Sequence, residues 1–354
     1  MIQKARIAVI GAGWWGSDYH IPGVLAHPDA ELTAICDTHP ERLQKAAQLY
    51  QIKHTFTDYR RMLTSLELDG AIVVTPHATH YTIARDCLVQ DLHVLIEKPM
   101  TLFARDARDL VQLAEERDKE IVIGYPFHYA PQTLRARQVI QSGELGPIQY
   151  VTCSFASNVR QFLSGGVSEE NPPIRYSVQA PSENYNRPEL LGGGQGHLQI
   201  THSAALMFFI TGLRARRVHA LMNRHGLALD LVDAMTVEFE GGALGMVGGT
   251  GNAGSCYRLA LTVNCERGSL LSDSQAPASL ICRQDGSREE LQEQHPYREM
   301  KYIVTTNFVD LILGRAENGS PGEIGLKTVE LLDAAYRSAQ TDGQAVLIEH
   351  LYPA

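Results

Sequence analysis

Glu97-Lys98-Pro99 closes the apolar run Val94–Glu97, setting a lysine between a carboxylate and a proline. A lysine at a strand end, next to a proline that stops the strand, is poorly explained as a solvated surface cation. Its ammonium can donate to a substrate oxygen. With a lowered pKa, its amine can take a hydroxyl proton as hydride leaves carbon. Pro99 restricts the local backbone and is a candidate for a cis bond. A second tripeptide, Thr75-Pro76-His77, ends the run Ala71–Thr75, and His80 follows shortly after. In a doubly wound sheet, ligands bind outside the carboxyl ends of the strands, which is where both tripeptides fall. His77 and His80 could bracket a ligand there; the competing reading puts His80 on the outer face of its helix.

Gly11-Ala12-Gly13-Trp14-Trp15-Gly16 directly follows the β-rich run Arg6–Ile10. Alone, GxGxxG is a weak signal. Between a strand and a helix start it has a mechanism: Gly11 permits the tight turn, Gly13 lets the backbone approach a pyrophosphate, and Gly16 allows close helix packing. The helix N-terminus then offers unpaired N–H groups to the phosphates. A second run, Glu31–Cys36, leads into Asp37, about twenty residues past the last glycine, where an acid accepts from the adenosine ribose hydroxyls. The competing role for Asp37 is a helix cap before Pro40. Thr38 and His39 follow it with no adjacent cation, which favours NAD over NADP, although Arg42 is close.

These groups need a scaffold. In the first third, strand-like runs (Arg6–Ile10, Glu31–Cys36, Ala71–Thr75, Val94–Glu97, Glu120–Ile123) alternate with helix-like stretches (Pro40–Tyr50, Thr79–Gln90, Leu102–Lys119). That alternation predicts parallel strands with helical crossovers on both faces. After about Tyr125 the pattern changes. A helix over Pro131–Ser142 leads to a strand over Ile148–Ala156. Further strand-like runs follow at Arg217–Leu221, Ala234–Phe239, Ala243–Gly248, Leu259–Asn264 and Ser279–Cys282, with turn signals between them. They predict an open, mostly antiparallel sheet. Two helices, Glu299–Leu313 and Gly322–Gln340, close the chain.

The expected fold class is α/β, with a doubly wound parallel domain over 1–124 and an α/β domain over 125–354. The final helix, about 322–342, is expected to pack back toward the first domain. Residues 157–195 lack periodicity and carry Arg160, Arg175, Tyr176, Tyr185 and Arg187. They read either as a solvated insertion or as a substrate-lining loop.

The 354 residues suit two domains, and 44% apolar with 20% charged residues is a globular composition. A formal charge of −9 argues against general nucleic-acid binding. No apolar run is long enough to cross a membrane, and no secretory cleavage pattern follows the basic start, so a cytoplasmic protein is expected. Six scattered cysteines form no CxxC, and no HExxH or clustered Cys/His occurs, so no catalytic metal is expected.

Together these motifs resemble the Gfo/Idh/MocA family of NAD(P)-dependent oxidoreductases. The resemblance rests on the GxGxxG, the stretch Thr75-Pro76-His77-Ala78-Thr79-His80, and Glu97-Lys98-Pro99. Gly143-Glu144-Leu145-Gly146, Gly192-Gly193-Gly194 with His202 eight residues beyond, and Leu326–Gly343 extend it along nearly the whole chain. It implies a Rossmann domain followed by a domain with a large open sheet. It also implies an NAD(P) cofactor, sugar, inositol or polyol substrates, Lys98 as catalytic lysine, His202 assisting, and a homodimer or homotetramer built on the exposed sheet face.

The sequence departs from the family pattern twice. Where the family commonly has an Asp four residues before the histidine, this chain has Leu198. At about 100° per residue, Gln199 and Gln195 lie within about 60° of His202 on a helix, and His197 points away. Gln195 and Gln199 are therefore candidates to orient substrate hydroxyls or His202, with His197 a weaker one; satisfying backbone groups near a helix start is the competing role. At the second departure, Pro126 and Phe127 stand where the family often has asparagine and arginine. With Tyr125 and Tyr129 beside them, they could receive an apolar aglycone or a sugar face, or simply pack the domain junction.

The expected chemistry is oxidation of a secondary alcohol of a sugar, glycoside or cyclic polyol by NAD, giving a keto-sugar. A redox-neutral glycoside-cleaving enzyme with transient sugar oxidation, and a non-catalytic NAD- or sugar-sensing regulator, remain as rivals.

Overall fold

The computed structural model describes residues 4–165, 178, 185–292 and 301–352. Six parallel strands form the first sheet: β1 (Ala5–Ile10), β2 (Ala30–Cys36), β3 (Thr55–Phe56), β4 (Gly70–Val73), β5 (His93–Ile96) and β6 (Ile121–Ile123). Their order is β3-β2-β1-β4-β5-β6, the doubly wound dinucleotide-binding arrangement. The central strand β4 and the edge strand β6 are both buried along their whole length, because helices cover both faces. The sequence reading omitted β3: a two-residue edge strand has no periodicity to detect.

Nine strands form the second sheet. They are β7 (Ile148–Ala156), β8 (Ala215–Asn223), β9 (Val232–Phe239), β10 (Leu244–Thr250), β11 (Arg258–Cys265), β12 (Gly268–Asp273), β13 (Ala278–Arg283), β14 (Arg288–Gln292) and β15 (Val346–Leu347). The order is β14-β13-β12-β11-β7-β10-β9-β8-β15, and among the described residues only β7 and β10 of this sheet pair in parallel. The strands β12, β14 and β15 were not anticipated. The edge strand β14, Arg-Glu-Glu-Leu-Gln, exposes too much charge to read as a strand.

Helix Thr201–Thr211 lies against the inner face of this sheet and is buried all round apart from His202, so it shows no amphipathic stripe. The chain then returns to the first domain. Val304, Phe308 and Val309 of helix Ile303–Ile312 pack with Ile7, Val9, Ile72, Leu95 and Val122. Helix Gly322–Gln340 approaches the opposite side: a Cβ on Gly325 would lie 2.8 Å from Met100 Sδ and 3.0 Å from Ile123. The first sheet ends with β6 and the second begins with β7. The helices do not divide that way, because apolar residues of helix Ile303–Ile312 cover the first sheet.

Candidate active site

The glycine loop leaves β1 beneath the carboxyl ends of the first sheet. Gly11 has φ +109°, and a Cβ there would collide with the Val74 carbonyl; at Gly16 it would collide with the Gly11 carbonyl. At Gly13 a Cβ would meet nothing within 4 Å, leaving the open approach that a pyrophosphate requires. The turn Gly16–His20 that follows is a π-helix. Asp37 sits at the end of β2 with Oδ2 accepting from Ala12 N–H (2.8 Å) and Oδ1 from His39 N–H (2.9 Å). Arg42 donates to both oxygens, Nε to Oδ2 at 2.8 Å and Nη2 to Oδ1 at 2.7 Å. The Asp37 carboxylate thus anchors the glycine loop, and the residue before Pro40 that precedes the helix is His39. Arg42 is held beside Asp37 at the end of β2.

Both tryptophans of the loop are tied to other elements. Trp15 Nε1 donates to Glu97 Oε1 (2.8 Å), and Trp14 Nε1 donates to the Tyr185 hydroxyl (2.5 Å). Glu97 Oε1 also lies 2.9 Å from His20 Nε2, and Oε2 accepts from the Lys98 N–H at 3.1 Å. Burial would raise the Glu97 pKa, but His20, Lys98 and Trp15 together hold it below its ordinary value. The carboxylate fits because Gly124 has no side chain; a Cβ there would stand 2.7 Å from Glu97 Oε1. Sequence reasoning missed His20, a single histidine on the first helix with no distinctive spacing.

Lys98 precedes a cis peptide to Pro99. Its Nζ crosses between the domains and donates to the Leu198 carbonyl at 2.9 Å. Burial pushes its ammonium down to about 8, opposed by Glu97. Leu198 lies in a second π-helical turn, Gly196–Ile200. Such a turn shifts the backbone ladder by one residue, and π-turns recur at functional sites. The Leu198 side chain points elsewhere, into an apolar cluster with Val159, Leu163, Leu191, Leu229 and Leu231. Where an acidic side chain was missed in the sequence, the main chain therefore supplies the oxygen.

His202 lies one turn further on. Tyr125 and Phe127 stand edge-on with ring centroids 6.0 Å away, and Phe155 stands at 6.4 Å. Its Nδ1 is buried without a hydrogen-bond partner among the described residues. Burial, then the nearby Lys98 charge, holds its pKa well below the ordinary imidazole value, so the ring is neutral.

Residues 5–125 match an oxidoreductase family with an NAD-binding Rossmann fold, and residues 133–271 match the GFO/IDH/MocA C-terminal domain. The chain belongs to the Gfo/Idh/MocA family. It is 32% identical to D-glucoside 3-dehydrogenase of Escherichia coli over 153 residues, 43% of each chain. It is 30% identical to D-xylose 1-dehydrogenase [NADP(+)] of Haloarcula marismortui over 195 residues, 54% of this chain and 50% of that one. The matched parts thus span about half the length of these curated relatives. Levoglucosan dehydrogenase in complex with NADH superposes with a TM-score of 0.80 at 17% identity, covering 98% of this chain and 99% of that one.

Several Gfo/Idh/MocA positions singled out in the sequence sit differently from expectation. Gln195 is fully buried: Nε2 donates to Phe155 O (3.0 Å) and Oε1 accepts from Ser157 Oγ (3.3 Å). The expected shared face with His202 assumed α-helical spacing, and the π-turn breaks that assumption. Gln199 is half-buried and lies inside the same π-turn. Tyr125 is 1% exposed, with its hydroxyl 3.0 Å from Thr201 Oγ1, so it braces the helix from below; half-buried Phe127 faces His202.

His80 is buried, with its ring nitrogens 2.8 Å from the Pro99 and Thr75 carbonyls. It fastens the two strand-end loops together and has no nitrogen left for a cofactor. His77 Nδ1 and His197 Nδ1 converge on the Leu191 carbonyl at 3.0 and 3.1 Å, one from each domain. Burial lowers the pKa of both rings. Thr75 and Pro76 are half-buried just beyond β4. Arg175 and Tyr176 lie outside the described residues.

Sequence reasoning also missed Asp230. Its oxygens accept from Gly194 N–H (2.7 Å) and Gly196 N–H (2.9 Å), and the Tyr336 hydroxyl donates to Oδ1 at 3.0 Å. It therefore holds the turn that presents Leu198 and His202. Nothing local marks it, because it precedes β9, some thirty residues along the chain.

Proposed function

We propose that this protein is an NAD-dependent dehydrogenase that oxidises a secondary alcohol of a sugar, glycoside or cyclic polyol to the ketone. The observation that carries this reading is Lys98: a buried lysine with its pKa pushed down to about 8, reaching from the rim of the nucleotide-binding sheet to the second domain. A group titrating there can take a hydroxyl proton near neutral pH and return it in the reverse direction.

The glycine cradle fits a dinucleotide, with Gly11, Gly13 and Gly16 around the pyrophosphate and Asp37 toward the adenosine ribose. Thr75, Pro76 and His77 would line the nicotinamide side. A bound nicotinamide supplies the hydride acceptor. Lys98 Nζ faces the substrate hydroxyl and takes its proton as the C–H bond breaks, leaving a carbonyl. The Leu198 carbonyl orients the amine. His202, neutral and with Nδ1 unpartnered among the described residues, would offer a hydrogen bond to the same oxygen or its neighbour, and Gln199 would serve an adjacent hydroxyl. The aromatic rings about His202 form an apolar wall suited to a sugar face. NAD is favoured over NADP because a 2′-phosphate would meet the Asp37 carboxylate; the pairing of that carboxylate with Arg42 narrows the preference.

On the outer face of the second sheet, Leu221, Leu244, Met246 and Leu271 are exposed. That apolar surface supports a homodimer or homotetramer. Among the described residues no helix is long and apolar enough to cross a membrane.

The test is NADH formation at 340 nm (a wavelength of about that value is set by the reduced nicotinamide) across free sugars, inositols and glycosides, with NAD⁺ and NADP⁺ in parallel. Stoichiometric NADH with at least one of these supports the reading. Aglycone release without NADH, or nucleotide binding with no turnover of any of them, would overturn it.

A further inference from the structure

The segment Tyr185–Leu191 belongs to the second domain but is fastened to the first at both ends. At one end the Tyr185 hydroxyl accepts from Trp14 Nε1, inside the glycine loop after β1. At the other end the Leu191 carbonyl lies 3.0 Å from His77 Nδ1, in the loop after β4. Those two loops flank the cleft at the carboxyl ends of adjacent strands, where the strand order reverses and a dinucleotide lies.

The tyrosine end is reinforced by aromatic packing. Trp14 stacks on Phe162 with ring centroids 6.3 Å apart and planes 15° apart, and Tyr185 lies 5.5 Å from Phe162 and 6.2 Å from Trp14. Underneath, Phe162 and Tyr185 pack on the cluster of Val159, Leu163, Leu191, Leu198, Leu229 and Leu231. Leu198, where an acid stood in the expected pattern, thus anchors this strap by its side chain while its carbonyl holds Lys98.

We propose that Trp14, Phe162 and Tyr185 form an aromatic clasp that holds the strap across the nucleotide cleft and slows release of the dinucleotide. The inference rests on the reading that the cleft binds NAD. A nucleotide leaving the cleft has to part the Trp14–Tyr185 bond and unstack Trp14 from Phe162. Neither group is needed for the proton transfer at Lys98, so the clasp governs exchange of the nucleotide and not the chemical step.

The test measures NADH release from the full chain by stopped-flow fluorescence, chasing with excess NAD⁺, for the unaltered protein, Tyr185→Phe and Phe162→Ala. Tyr185→Phe deletes one oxygen from a half-buried ring, which keeps the fold. It is expected to speed release about three- to tenfold, the worth of one hydrogen bond. Phe162→Ala is expected to speed release about tenfold or more, and circular dichroism reports whether it stays folded. Release unchanged within about twofold in Tyr185→Phe, with the protein folded and NADH bound, overturns the clasp and leaves the NAD reading standing. Failure of the unaltered protein to bind NADH in equilibrium titration overturns both.

Discussion

Lys98 Nζ lies 2.9 Å from the main-chain carbonyl of Leu198, and the side chain of Leu198 faces the opposite way into an apolar cluster. A carbonyl accepts a hydrogen bond without carrying a charge. It orients the lysine but does not stabilise the ammonium as a carboxylate would, so burial prevails and the pKa falls to about 8.

The first consequence is a pH dependence. Oxidation needs the neutral amine, so kcat/KM for the alcohol should rise with pH through a midpoint near 8 and level off above it. Reduction of the ketone needs the ammonium and should fall over the same range. Lys98→Arg cannot deprotonate, and should lower the oxidation rate by about 10²–10⁴-fold. A flat profile from pH 6 to 10 (a window of about two units either side of the midpoint) would rule Lys98 out as the titrating group.

His202 should behave differently. Its ring is neutral well below the midpoint of Lys98, so removing it should not move that limb. His202→Ala is expected to lower kcat by about 10- to 100-fold with the pH midpoint unchanged. A lost or displaced limb in this variant would show that His202, and not Lys98, carries the proton.

Cofactor choice should turn on two side chains. Asp37→Ala removes the loop anchor and the proposed ribose acceptor, and should raise KM for NAD⁺ about tenfold or more. Arg42→Ala frees the carboxylate from its bidentate partner, and should lower any activity with NADP⁺ more than that with NAD⁺. Equal losses with both nucleotides would mean that Arg42 takes no part in discrimination.

Gln195 tests the correction made by the structure. Gln195→Ala leaves the Phe155 carbonyl and the Ser157 hydroxyl without their buried partner, and should cost about 1–3 kcal/mol in urea unfolding. Its KM for substrate should hardly change. A large rise in KM with stability intact would return Gln195 to the substrate site.

Gly124→Ala places a methyl group 2.7 Å from Glu97 Oε1. It should displace the carboxylate from Trp15 and His20 and disturb Lys98, lowering kcat with NAD⁺ affinity largely kept. Unchanged kcat would show that Glu97 can shift without consequence to its neighbour.

The local patterns settled a good part of this. Gly11, Gly13, Gly16 and Asp37 could be recognised because the turn, the pyrophosphate approach and the strand end are set by residues close in sequence. Glu97-Lys98-Pro99 could be placed at a strand end for the same reason, and helices Pro40–Tyr50 and Gly322–Gln340 follow from their own periodicity and flanking prolines. What the fold alone decided lies across long separations or in departures from ideal spacing. The π-turn at Gly196–Ile200 has no period of its own in the sequence, so Gln195 and His197 could not be assigned to faces. The bond from Lys98 to Leu198, the hold of Asp230 on Gly194 and Gly196, and the reach of Trp14 to Tyr185 join residues from 34 to 171 positions apart. A main-chain carbonyl also carries no side-chain signature. Only the docking of the two domains shows which carbonyl meets the lysine.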